Sequence, residues 1–295
     1  MSADVTLTTP VDRHRAWTRP RTGTLIASVV AVVLALAFVA PIVWSAISSL
    51  KTPAEAAAVP PTVLPSQISF ENYSVLLHYD RGLLHYLANT TILAGLTTLF
   101  TVVVSVLAGY GFSRYSFPLK RLLFGLVLAV LMVPFPALLL PLYLTLNRLH
   151  LLNSLVGLSL VLTTFQLPFA VFMMRNSFDS VPQALEEAAR VDGARTFEVM
   201  RDIALRIVMP GIVTVALFAF LAAWNEFLGA LIFLTNSDKF TLPVMLTSVQ
   251  TGELGSVTYG PLQAGVTLAM VPCVALFLLL QRYYVNGLIA GALKS

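Results

Sequence analysis

GLLHYLANTTILAGLTTLFTVVVSVLAGYGFS, residues 82–113, runs for 32 residues without an Asp, Glu, Lys or Arg. A helix rises about 1.5 Å per residue, so ~20 apolar residues cross the hydrocarbon core of a bilayer. This stretch exceeds that length, and four others match it: Thr22 to Leu50, Leu122 to Asn147, Leu149 to Met174 and Leu254 to Gln281. A sixth, Ile207 to Ser237, is interrupted once, by Glu226. The pattern predicts an all-α, polytopic membrane protein of six transmembrane helices, spanning about 24–48, 86–112, 122–146, 153–175, 207–234 and 263–284. Overall composition agrees, since 57% apolar and 11% charged residues lie outside the usual soluble range.

Residues 1–23 form a basic arm with Arg13, Arg15, Arg19 and Arg21, and residues 289–295 a short C-terminal tail. The arm resembles the start of a signal peptide, but the apolar run behind it is far longer than the ~7 to 15 residues of a signal core. An uncleaved first helix is therefore expected. With six spans both termini lie on one side. Fourteen of the eighteen Lys and Arg fall on that side, in the arm, in the loop of Arg114, Lys120 and Arg121, in the segment Arg175 to Arg206, and at Arg282 and Lys294. Lys51, Arg81, Arg148 and Lys239 fall on the other. The basic excess marks the cytoplasmic side, so both termini are expected there. The charge of +4 is scattered between apolar runs, which argues for lipid and against nucleic acid as a partner.

The external loop Lys51 to His85, with Pro60, Pro61 and Pro65 and then the periodic stretch Ile68 to Leu77, is read as a short cap. A second external loop, about Asp238 to Gly260, reads as irregular. Pro41, Pro134, Pro136, Pro141, Pro168, Pro210 and Pro272 fall within spans and are expected to kink them. Gly95, Ser105, Ala108, Gly109 and Gly111 would let a helix approach the second span closely. The single cysteine, Cys273, lies in an apolar run and is read as a small core residue.

Between the fourth and fifth spans lies the polar segment 177–206, dense in both charge signs. Ser180 with Gln183 has the spacing of a capping box, and Pro182 suits a first turn, so a helix is expected to start there. Ala184 with Ala188, and Leu185 with Ala189, form a narrow apolar stripe, with Glu186, Glu187 and Arg190 as polar flanks. Gly193 permits a reversal, and Thr196 to Leu205 reads as a second short helix. So short a helix needs a partner surface. An interfacial helix would favour larger apolar groups, and this alanine face suits a protein groove better.

Glu187-Ala188-Ala189, then Gly193, Ile203 and Leu205, resembles the EAA loop of inner-membrane subunits of ATP-binding-cassette (ABC) importers. Further short segments resemble the maltose-type carbohydrate branch of that family. They are Arg114 to Arg121, Pro141-Leu-Tyr, Leu167 to Ala170, Trp224 to Phe227, Thr241-Leu-Pro243 and Gly287 to Gly291. The resemblance implies a type I importer fold whose coupling helix docks on a cytoplasmic ATPase through Glu187, Ala188, Ala189, Asp192 and Gly193. It implies as partners a second homologous permease, two ABC ATPase subunits and an extracytoplasmic solute-binding protein, in a bacterial or archaeal inner membrane. ATP and Mg would be held by the ATPases, with no cofactor on this chain. The family usually has proline after the leucine, where this chain has Arg206.

Glu226 is the one acidic residue deep in a predicted span, where a charge costs at least ~2.5 to 3.5 kcal/mol. Trp224 and Asn225 beside it add a stacking surface and an amide, chemistry that suits sugars, so these three are the candidate substrate-pathway residues. A second reading has Glu226 capping a helix or bracing an interface. Gln166 and Asn89 are read as interhelical hydrogen-bond partners. No phosphate loop, His-Glu-x-x-His or Gly-x-Ser-x-Gly occurs, and His14, His78, His85 and His150 lack metal-ligand spacing. A non-catalytic transport subunit is therefore expected. Its rivals are a relative importing a polyol, glycerol phosphate or peptide, an ion-coupled secondary transporter, and a membrane-embedded enzyme.

Overall fold

The computed structural model describes residues 22–251 and 259–292, those from 281 on by their backbone. The arginines of the predicted arm, Glu253 and the last three residues of the predicted tail lie outside the described residues. Every regular element among the described residues is helical. Residues up to Trp44 form one unit and those from Ser45 a second. The first unit, as far as it is described, is the apolar length of helix α1 (Thr22–Ser49), with Pro41 inside it.

The second unit opens with the last turn of α1 and the predicted external cap, which contains α2 (Pro53–Ala56) and α3 (Glu71–Leu77). The cap is tied down by backbone-seeking side chains. Buried Asn72 donates to the carbonyls of Ser49 (3.0 Å) and Lys51 (2.7 Å), and Glu55 accepts from the Ser66 amide and the Thr62 hydroxyl. Helix α4 (Leu83–Arg114) follows, then α5 (Lys120–Ala129), α6 (Leu139–Arg148) and α7 (Leu155–Asp179). The polar segment 177–206 forms α8 (Gln183–Val191), α9 (Thr196–Val199), a π turn at Met200–Ala204 and α10 (Leu205–Ile207). Then come α11 (Met209–Trp224), α12 (Leu228–Phe233), α13 (Leu242–Thr251) and α14 (Tyr259–Ala292).

The core is α4 laid along α7, with α11 against both. Small residues make this possible. A Cβ on Gly109 would lie 2.6 Å from the Cβ of Met174 and 2.9 Å from the amide of Arg175, and one on Gly211 would strike the Ser177 hydroxyl. Gly95 and Gly111 face open space instead, so of the glycines expected to admit a neighbour to the second span, Gly109 does so. Asn89 donates to the carbonyls of Asp238 (3.0 Å) and Phe240 (2.9 Å), fixing the N-terminal end of α4 to the strap before α13. Cys273 is half-buried beside the core that holds Leu158 and Trp224.

Among the described residues four helices are long and apolar enough to cross a membrane, and two bent pairs, each taken as one span, bring the number to six. The third predicted span is not one rod, because α5 with its 3-10 extension and the segment from Phe135 to Arg148 meet at 98°. Val133 is extended there, as the ring of Pro134 requires of the residue before it. The fifth is also divided. α9–α10 meets α11 at 76° around Val208, and α11 stops at Trp224, with three residues between it and α12. Pro210 sits in the first turn of α11, where its missing N–H costs nothing, so it starts a helix rather than kinking one. Pro41, Pro168 and Pro272 lie inside helices as expected. α14 runs on to Ala292, into the predicted tail.

Candidate functional site

Helix α7 ends at Asp179, and the chain turns through Ser180, Val181 and Pro182 into α8. The expected capping box does not form. The Ser180 hydroxyl donates to the Ser177 carbonyl (2.7 Å), and Pro182 stands at the N-cap without a side-chain bond. A one-sided cap appears one helix later, where the Arg195 amide donates to Glu198 Oε2 (2.7 Å).

Glu186, expected on the polar flank of α8, instead points into the protein. Its carboxylate meets Arg114 Nε at 2.7 Å, with side chains 3% and 6% exposed. Tyr110 donates to its second oxygen (3.3 Å), and Arg190, a turn along α8, stands 3.9 Å away. Removing one partner of so buried an ion pair costs about 3–5 kcal/mol, because the other charge is left uncompensated. Beneath it, Phe178, Val181, Ala204 and Val208 pack with Tyr110 and Met174, so the loop is folded onto the ends of α4 and α7.

With Glu186 inward, the 100° step per residue turns Ala184, Glu187, Ala188 and Val191 outward. All four are exposed, Val191 by 86%, and so are Asp192 and Gly193 at the reversal. Gly193 adopts φ +90°, a conformation that favours glycine. Of the five predicted docking residues four therefore share one exposed surface, and Ala189 is half-buried at its edge. The surface is small-residue and apolar, ringed by Glu187 and Asp192.

The other predicted group lies at the C-terminal end of α11, a helix of 16 residues and so about 24 Å long at 1.5 Å per residue. The group divides in two. Trp224 is 4% exposed, its indole donating to the Ala269 carbonyl (3.0 Å) and its ring stacked on Phe220, so its faces are covered. Asn225 is exposed and Glu226 half-buried, in the gap between α11 and α12. Glu226 Oε1 accepts the Gly229 amide at 2.6 Å, as a carboxylate does at a helix N-terminus. Phe135, beside the break in the third span, lies next to Gly229, so the two interruptions adjoin. Among the described residues no group of His, Cys, Asp or Glu is placed to hold a metal ion.

Sequence reading missed the inward group of Arg114, Tyr110 and Glu186. Tyr110 and Arg114 lie 76 and 72 residues before Glu186, and no local pattern on α8 signals them.

A family profile described as "Binding-protein-dependent transport system inner membrane component" matches residues 101–289, from within α4 through both sites. The chain belongs to that family. Its curated relatives in the family include the sulfoquinovosyl glycerol transport system permease of Agrobacterium fabrum, 35% identical over 86% of this chain and 88% of the relative. The trehalose/maltose transport system permease of Thermococcus litoralis is 34% identical over 90% and 95%. Among solved structures, a bacterial ABC transporter importing the acidic polysaccharide alginate has the same fold, with a TM-score of 0.76 at 21% identity over 88% of this chain and 95% of that one. Family membership makes the chain a transport permease subunit.

Proposed function

We propose that this chain is a pathway-forming subunit of an ABC importer for carbohydrates, and that α8 is the helix through which separate ATPases drive it. The observation that carries the reading is the orientation of α8. Its one acidic anchor is buried against Arg114, while Ala184, Glu187, Ala188 and Val191 are left facing outward. A helix of nine residues is held by packing, and a protein cleft supplies the missing half. The carbohydrate class rests on relatives whose names state trehalose/maltose, sulfoquinovosyl glycerol and diacetylchitobiose transport.

On this reading the partners are a second homologous permease, two cytoplasmic ATPases and an extracytoplasmic solute-binding protein. Chemistry stays with the ATPases, which hold ATP and Mg, and this chain is non-catalytic and binds no cofactor. Both termini face the cytoplasm, as the distribution of Lys and Arg favours. Asn225 and Glu226, in the break of the fifth span, supply amide and carboxylate groups to the pathway. Trp224 supports that break from inside the core.

The test is affinity purification from solubilised native membranes. A nucleotide-binding ATPase and a second six-span permease should accompany the unaltered chain, and Glu187→Lys should lose the ATPase while keeping the permease. Recovery of the chain alone in both cases would sink the reading.

A further inference from the structure

Helix α4 is continuous for 32 residues, about 48 Å, and is fastened at both ends by buried polar side chains. At its N-terminal end Asn89 holds the strap before α13 through two carbonyls. At its C-terminal end Arg114 does four things at once. It pairs with Glu186 at 2.7 Å, donates to the Val181 carbonyl at 2.9 Å, reaches Ser113 Oγ at 3.2 Å, and through Ser113 touches Asp179 at the end of α7.

A purely apolar contact would hold α8 as firmly but would leave its rotation and sliding loosely defined. The Arg114–Glu186 pair, bonded also to Tyr110, fixes both. It sets which face of α8 is presented outward. It also makes α4, rather than only the covalent path through α9, the π turn and α10, a receiver of any displacement of α8.

We infer that Arg114 and Glu186 are positioning residues of the transport cycle: their buried pair locks α8 to α4, so that movement of the docked helix is delivered along α4 to the strap before α13. The inference rests on the reading of α8 as the ATPase-docking helix. Without the pair, α8 still carries its outward face, but its motion is taken up locally. ATP is then hydrolysed without a matching movement of solute.

The experiment uses the whole transporter in liposomes, with its second permease, ATPases and binding protein, and reads ATP hydrolysed per solute imported. Glu186→Gln and Arg114→Met should raise that ratio about tenfold, within the 5- to 150-fold range typical of coupling between sites. The exchanged double variant Arg114→Glu with Glu186→Arg should return it most of the way. Unchanged ratios in both single variants would overturn the inference. If the single variants fail to assemble, the double variant decides. Its assembly with a ratio near that of the unaltered transporter upholds coupling through the pair, and its failure to assemble, or a ratio that stays raised, reduces the pair to packing. Ala188→Trp separates this from the underlying reading. Retained ATPase binding and transport in that variant would remove α8 as the docking helix altogether, whereas loss of binding there, with normal ratios in the pair variants, would remove only the present inference.

Discussion

At Gly193 the backbone, not the space around it, sets the tolerance. With φ at +90° and no atom within 4 Å of where a Cβ would stand, a larger side chain meets no clash, but its backbone is strained by about 1–3 kcal/mol. Gly193→Val is therefore expected to leave membrane insertion intact and to weaken ATPase capture, while Gly193→Asn, which tolerates this region better, stays near the unaltered chain. Quantitative pull-down from equal amounts of inserted protein checks it. Glu226 poses a different question because its carboxylate caps α12 through the Gly229 amide. Glu226→Gln retains an acceptor, whereas Glu226→Ala loses the cap and should lower stability by about 1 kcal/mol, read as a fall in thermal midpoint in detergent. If Glu226 also serves the pathway, the Gln variant will alter substrate-stimulated ATP hydrolysis at unchanged midpoint, and unchanged stimulation assigns it to capping alone.

At the scale of elements, close helix contact makes sharper predictions than hydropathy. Gly109→Ala should cost about 1–3 kcal/mol, since its Cβ overlaps Met174 and the Arg175 backbone and the two helices must part. Gly95→Ala and Gly111→Ala, which face open space, should be neutral or stabilise by up to ~1 kcal/mol by reducing the freedom of the unfolded chain. Thermal unfolding of the three variants side by side checks the contrast. The apolar runs made the helices legible in the sequence, because a charge-free run records burial in lipid. They did not show direction. The 98° bend at Pro134 lies within a charge-free run where only the proline gave warning, and the stop at Trp224 was marked only by the polar pair Asn225 and Glu226 that follows it. A short helix between α7 and α9 was legible from the spacing of its alanines and from Gly193. Its rotation was not, because the side chain that fixes it, Arg114, lies 72 residues earlier in the chain.

At the largest scale, within the unit from Ser45 onward, the arrangement is one of separated ends. The exposed face of α8 lies toward one end of α11 and a polar break at the other, with α4 running alongside as a fastened rod. The central claim is that α8 is covered by an ATPase. Its rival is that the alanine face lies on lipid headgroups. The most direct measurement places a photoreactive side chain at position 188 and irradiates native membranes. An adduct with a nucleotide-binding ATPase, lost when Glu187→Lys is added, is the predicted result; an adduct with lipid, or one indifferent to Glu187→Lys, would contradict the account.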